Sequence, residues 1–227
     1  MSRVRLALAA ALVGMASLTA CSSSGDGPNS ASNAQDGNQP VSSPAPKPIT
    51  KDLTQADVTK ALLDTGETLP GYTLHGTKSV TEGEYCSATD DNSSPKGWAR
   101  GSDASYEYNG STVNMADVHI CLFDTAKDAH SAYSAWKGSE TSKEQPAKPP
   151  VGDESTLVIN PGVSEDSVYG YSRSGKANIR VKIDGGTGGD PSGAEAMLSA
   201  TLKRLQQLQG GESATVTAAD EQAAAEK

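Results

Sequence analysis

All ten aromatic residues of this 227-residue chain lie between Tyr72 and Tyr171, and that confinement decides where a core can form. Burial of apolar surface is what offsets the entropy of ordering a chain, and a segment poor in large apolar side chains cannot supply it. Between Ser22 and Thr50 the only branched aliphatics are Val41 and Ile49, set among Ser, Gly, Asn, Asp, Gln, Ala and Pro. Residues 21–50 therefore read as a disordered Ser/Gly/Pro-rich stalk. After Gly210-Gly211 the chain turns acidic and Ala-rich, and residues 211–227 read as a disordered tail. Residues 51–210 remain as one globular domain, long enough for a sizeable core.

The leader has its own pattern. Arg3 and Arg5 precede an apolar run from Leu6 to Ala16, shorter than the ~20 residues a spanning helix needs. Thr19 and Ala20 then place small side chains before Cys21. The order Leu18-Thr19-Ala20-Cys21 resembles the lipobox of exported bacterial lipoproteins. The resemblance implies a signal peptide over residues 1–20 and a diacylglyceryl thioether on Cys21. Acyl chains such as palmitate would then hold the domain on the extracytoplasmic face of the cell membrane.

Charge narrows the partners. The 19 Lys and Arg, less Arg3 and Arg5, leave 17 basic residues against 28 acidic ones, a net charge of −11 after cleavage. Nucleic acid wants a basic stripe, and an anionic bilayer repels such a domain, so the lipid alone is the expected tether.

With Cys21 committed to lipid, Cys86 and Cys121 remain in an oxidising compartment, and a structural disulfide is expected. A redox pair would call for Cys-x-x-Cys spacing. His75, His119 and His130 make no ligand cluster with the cysteines, so neither a metal nor another cofactor is expected.

Three helices are expected. Thr54 with Asp57 caps the first, and Thr125 with Asp128 caps the second, whose Ala129, Ala132, Tyr133 and Trp136 share a face. The third opens at Asp190-Pro191, carries the stripe Met197, Leu198, Leu202 and Leu205, and stops at Gly210-Gly211. Strand patterns run over Tyr72–Val80, Ala104–Tyr108, Thr112–Phe123, Thr156–Asn160, Ser167–Ser172 and Ala177–Ile183. In the last of these, Ile179, Val181 and Ile183 face in while Asn178, Arg180 and Lys182 face out. A parity shift at Val113 and Met115 predicts a bulge. The short turn Arg173-Ser174-Gly175 pairs the final two strands as a hairpin. The fold class is α+β: an antiparallel β-sheet with about three helices packed largely on one side and one disulfide.

Chemical motifs are thin. Gly185-Gly186-Thr187-Gly188-Gly189 lacks the Gly-Lys-Ser/Thr ending of a phosphate loop, and Asp190 puts negative charge where phosphate would sit, so no nucleotide is expected. Gly170-Tyr171-Ser172-Arg173-Ser174 misses the last glycine of a nucleophile elbow. Asp117 and His119 share one strand face and form a base-and-orienter pair on paper, yet an alternating strand exposes such residues by default. Asp90-Asp91-Asn92 lacks the order of a calcium loop. Trp98, Tyr106 and Tyr108, with Tyr169 and Tyr171 on a later strand, suit either a core or a sugar or lipid surface.

Taken in order, Cys86, the strand ending Cys121-Leu-Phe-Asp, the Ala-rich Thr125–Lys137, Val151-Gly-Asp-Glu-Ser155 and Ala177-Asn-Ile-Arg-Val-Lys-Ile183 resemble actinobacterial cell-envelope lipoproteins with a PknH-like extracellular sensor-type domain. The resemblance implies an antiparallel sheet with helices and a cleft; this chain has one cysteine pair where that pattern has two. The expected function is a non-enzymatic ligand-binding or sensor-like domain at the envelope, taking a small ligand, a cell-wall component or an envelope protein. An envelope interaction or structural module is the alternative, and a hydrolase using Asp117 and His119 or Ser172 ranks below it.

Overall fold

The computed structural model describes residues 47–88, 93–162, 165–186 and 190–227. The leader, Cys21, most of the expected stalk, Asp90, Asp91, Asn92 and Thr187–Gly189 lie outside the described residues. Among those described, no helix is long and apolar enough to cross a membrane.

Seven strands form one antiparallel sheet: β1 (Tyr72–Thr81), β2 (Trp98–Tyr108), β3 (Ser111–Phe123), β4 (Glu144–Gln145), β5 (Glu154–Asn160), β6 (Asp166–Ser174) and β7 (Ala177–Gly186), in the spatial order β1-β2-β3-β7-β6-β5-β4. β7 is the central strand of that order, and the long alternating strand β3 lies beside it. Ala116, Val118, Ile120 and Leu122 of β3 lie opposite Ile183, Val181, Ile179 and Ala177 of β7, and all are buried in one cluster. The parity shift at Val113 is realised: pairing jumps from Glu107–Met115 to Tyr108–Ser111, and Val113 is 74% exposed.

On this apolar face pack α1 (Gln55–Ala61) and α3 (Ser192–Gly210). Thr54 and Asp57 form the expected capping box on α1. Asp190 accepts the Ser192 N–H at 2.9 Å at the start of α3, and Gly211, at φ +83°, ends it in the left-handed region. Gly170 of β6 lets α3 come close, since a Cβ there would stand 2.7 Å from Leu198 Cδ1.

Helix placement departs from expectation in two respects. First, α2 (Ala126–Ser139) lies on the opposite face, where Ala129, Ala132, Tyr133 and Trp136 pack with Cys86, Cys121, Phe123, Val158 and Tyr171. The helices therefore cover both sides, because the strand residues that alternate with the aliphatics include enough aromatic and disulfide surface to bury a second helix. Second, there are four α-helices among the described residues. Residues 218–225 form α4, capped by Thr217, which accepts the Asp220 N–H at 3.1 Å. The expected disordered tail is thus corrected: Ala218 is fully buried, its N–H bonds Glu67 O at 2.8 Å, and Glu221 takes Lys203 Nζ of α3 at 2.7 Å. Polar anchors, rather than an aliphatic stripe, hold this helix.

The expected domain start at residue 51 also moves outward. Ile49 is fully buried and its carbonyl accepts the Lys176 N–H at 2.8 Å, close against Gly175 in the β6–β7 turn. Gly175 has φ +56°, and a Cβ there would collide with Ile49 O at 2.1 Å, so a residue assigned to the stalk plugs the core.

Candidate functional site

The disulfide is formed. Cys86, at the end of a 3-10 turn over Gly83–Cys86, is bonded to Cys121 of β3, which points off the aliphatic face. It draws the Gly83–Cys86 turn over the sheet's second face, and Asp124 N–H to Gly97 O at 2.7 Å ties the residue before β2 to the approach of α2. This second face is thus flanked by a bonded loop on one side and by α2 on the other.

Register places its side chains in rows. Asp103 of β2 lies opposite His119 of β3, His119 opposite Arg180 of β7, and Arg180 opposite Tyr171 of β6. One step along, Ser105, Asp117, Lys182 and Tyr169 repeat the order. Acids thus sit on β2 and β3, cations on β7 and aromatics on β6. Trp136 of α2 closes the aromatic end: its ring centroid lies 5.5 Å from the Arg180 guanidinium and 6.0 Å from the Tyr171 ring. Tyr169 and Tyr171 lie 6.3 Å apart and nearly parallel, and Lys182 Nζ stands 5.9 Å over Tyr169.

Satisfaction of these groups is uneven. Asp117 accepts from Ser105 Oγ at 2.6 Å, Asp103 accepts from Thr81 Oγ1 at 2.7 Å, and Lys182 pairs with Asp184 at 2.7 Å. Tyr171 donates its hydroxyl to Glu140. Arg180, half-buried, makes no ion pair or hydrogen bond among the described residues, and its guanidinium stands over the Trp136 ring. The ring nitrogens His119 Nδ1 and Trp136 Nε1 are buried without a partner. Orphaned buried polar groups are uncommon and call for an explanation.

Electrostatics follow from the same neighbours. Burial, and next the Arg180 charge, push the His119 imidazole down to about 4, against the smaller pull of Asp103 and Asp117. His119 is therefore neutral at physiological pH. Burial pulls the Lys182 ammonium down, but its hydrogen bond to Asp184 with Tyr169 and the nearby carboxylates raises it overall. Burial and Glu140 push the Tyr171 hydroxyl up.

The hydrolytic groupings do not assemble. Ser172 lies opposite Ile179, on the aliphatic face, is fully buried and donates to Val151 O at 2.7 Å. His119 is on the other side of the sheet, and its Nδ1 bonds neither Asp103 nor Asp117, which accept from Thr81 and Ser105. Of the aromatic group, Tyr106 is core, with its hydroxyl on Leu63 O, while Tyr108 packs on Tyr72 at 5.1 Å. Only Tyr169 and Tyr171 stay together, joined by Trp136. Gly185 and Gly186 finish β7; the N-cap of α3 is Pro191 rather than the expected Asp190, whose carboxylate accepts the Ser192 N–H where a phosphate would sit. No cluster of His, Cys, Asp or Glu among the described residues has metal-holding geometry.

Concavities lie elsewhere among the described residues, of about 180 Å3 by Lys51, Arg100 and Lys176, about 660 Å3 beside Leu69 and Tyr72, and about 620 Å3 between Pro149, α3 and α4. Polar side chains of the last are spent internally: Glu195 takes the Lys148 N–H, and Lys203 holds Glu221. The Arg180 face differs in having donors to spare.

The Arg180 site was partly visible beforehand, since the outward parity of Arg180 and Lys182 and the pairing of β6 with β7 were both readable. The expected turn Arg173-Ser174-Gly175 is displaced: the strands close on Ser174 and Ala177 around Gly175-Lys176, and that register sets Tyr171 against Arg180. Nothing local announces Trp136 as their partner.

Comparison with known proteins returns no matching family model and no matching curated protein. Among solved structures, the extracellular domain of PknH from Mycobacterium tuberculosis superposes with a TM-score of 0.46 at 10% identity, over 74% of this chain and all of that one.

Proposed function

We propose that this chain is a lipid-anchored extracytoplasmic protein whose domain binds a ligand, without catalysis, on the sheet face shared by β3, β7, β6 and α2. The observation that carries the reading is Arg180, a half-buried guanidinium with an aromatic wall on one side and no ion pair among the described residues. A folded protein gains nothing by leaving such a group unpaired, whereas a binding protein does. A disulfide-bonded domain fits an oxidising compartment, and the Cys21 lipid would hold it at the membrane. The ligand class at this level is a small molecule or a cell-wall component.

The test uses the mature protein and its Cys21→Ala form. Lipidated protein is expected in the membrane fraction and the Cys21→Ala form outside it; equal partitioning defeats the anchoring. Native mass spectrometry of the Cys21→Ala protein mixed with envelope extract is expected to show an adduct that the Arg180→Gln variant loses. An absent adduct, or one that survives the substitution, removes the binding face.

A further inference from the structure

We infer that the groove between Pro149, α3 and α4 seats an extended, proline-containing segment of a partner protein. The groove lies apart from the Arg180 face and is carried by different observations.

One strand of this kind is already bound to α3. The side-chain amides of Gln206 and Gln209 donate to the carbonyls of Lys47 and Pro48 at 2.9 and 3.1 Å, and Gln209 Oε1 accepts the Thr50 and Lys51 N–H groups at 2.6 and 3.0 Å. All of these bonds go to backbone, so they recognise an extended chain around a proline rather than particular side chains. Gln206 is also the last α3 residue on the groove floor. From it the floor runs back along one stripe of the helix through Leu202, Ser199, Glu195 and Ser192. The groove therefore continues the line of a strand that α3 holds by its glutamines.

Length agrees with that occupant. At ~1.5 Å of rise per residue, the floor from Ser192 to Gln206 is about 21 Å long. Polyproline II backbone rises ~3.1 Å per residue, so about seven residues cover it. A compact ligand would want polar groups converging on one spot, and here the charged pairs are spent on one another.

Backbone chemistry selects proline. The groove walls are the Pro149–Gly152 loop and α4, and no strand edge lines it. Pro149 and Pro150 have no N–H, the Val151 N–H is bonded to Ser155 Oγ at 2.9 Å, and α3 and α4 use theirs within the helices. A β-strand occupant would find no ladder to join. A polyproline II segment needs none, because proline brings no N–H and its carbonyls stay in water on the open side. Its rings meet Pro149, Pro150, Leu202, Ala224 and Ala225, small apolar side chains that leave room for them.

NMR titration of the isotope-labelled Cys21→Ala protein with an acetylated Pro-Ala repeat octapeptide, a Gly-Ser repeat octapeptide and laurate separates the occupants. The Pro-Ala peptide is expected to shift the Ser199, Leu202, Gln206 and Ala225 amides and to bind about tenfold more tightly than the Gly-Ser peptide, since its extended form is set before binding. Ala225→Arg, at an exposed wall position, is expected to abolish those shifts. Should that substitution unseat α4, seen at the Ala218 amide, cross-relaxation in the parent protein between peptide proline protons and the Ala224 and Ala225 methyl groups decides instead; its absence overturns the inference. Equal binding of the Gly-Ser peptide overturns it as well. So do the same shifts from laurate alone, which would make the groove a lipid site, or from raising the protein concentration alone, which would make it a contact between copies. Arg180→Gln is expected to leave peptide binding unchanged, so loss of the Arg180 face and loss of the groove are read separately.

Discussion

Gly101 shows how little room the disulfide-bearing corner leaves. A Cβ at this position would stand 2.8 Å from Ile120 O and 3.1 Å from Thr81 Cβ, beneath Cys86 Sγ. Gly101→Ala is expected to cost ~1–3 kcal/mol through overpacking, read as a lower urea midpoint at unchanged slope. His119 gives a pH signature instead. Its folded value of about 4 lies below the ordinary 6.5, so the unfolded chain binds a proton that the folded chain refuses as pH falls through that window. Stability contributed by the neutral ring is complete above pH 6.5 and declines toward pH 4, by at most ~1.4 kcal/mol per pH unit. Arg180, Asp103 and Asp117 face it, with Lys182 diagonal to it. His119→Gln should flatten the decline of stability between pH 6.5 and 4 relative to the parent; matching pH profiles would contradict the burial argument. At this scale the sequence was a good guide to facing and a poor one to partners. Alternation put Arg180 outward, but the group that contacts it stands 44 positions away on a helix.

Among elements, α4 is where composition misled. AADEQAAA carries no large apolar side chain, and such a segment earns no place in a core by area. What fixes it is Arg204 of α3, 2% exposed, whose guanidinium bonds Val216 O at 3.1 Å while also taking Lys60 O and Ala61 O at the end of α1 and pairing with Glu67 at 3.0 Å. One buried cation thus links three segments, and its hydrogen bonds are long-range and leave no periodicity to read. Removing residues 212–227 deprives Arg204 of one acceptor and uncovers Ala218's seat, so a lower melting temperature is expected; a frayed tail would leave it unchanged. By contrast α1, α2 and β3 were legible because cap, stripe and alternation are local devices. β4, two residues long, has no pattern to detect.

For the whole molecule, antiparallel α+β architecture was readable from strand and helix patterns, but strand order was not. β7 inserts beside β3 rather than beside β5, a pairing about 60 residues apart that depends on which apolar faces meet in space. Helices on both faces likewise follow from the buried aromatic surface of β6 and α2, which adds up only after pairing. The disulfide acts at this scale too, since it closes a separation of 35 residues. Reduction is expected to lower stability by ~3–4 kcal/mol on chain-entropy grounds, measured as the denaturant midpoint with and without reductant. An unchanged midpoint would mean that the loop is held by packing alone.

Ile49 carries a mechanical consequence. Just before it, the Lys47 and Pro48 carbonyls accept from Gln206 and Gln209 of α3, on the side of the sheet opposite Arg180. Any load arriving along the chain from its amino end therefore meets these two bonds and then a side chain seated in the aliphatic core. The strain passes into α3 and the β6–β7 turn, and the aromatic face can stay in register while the protein is pulled.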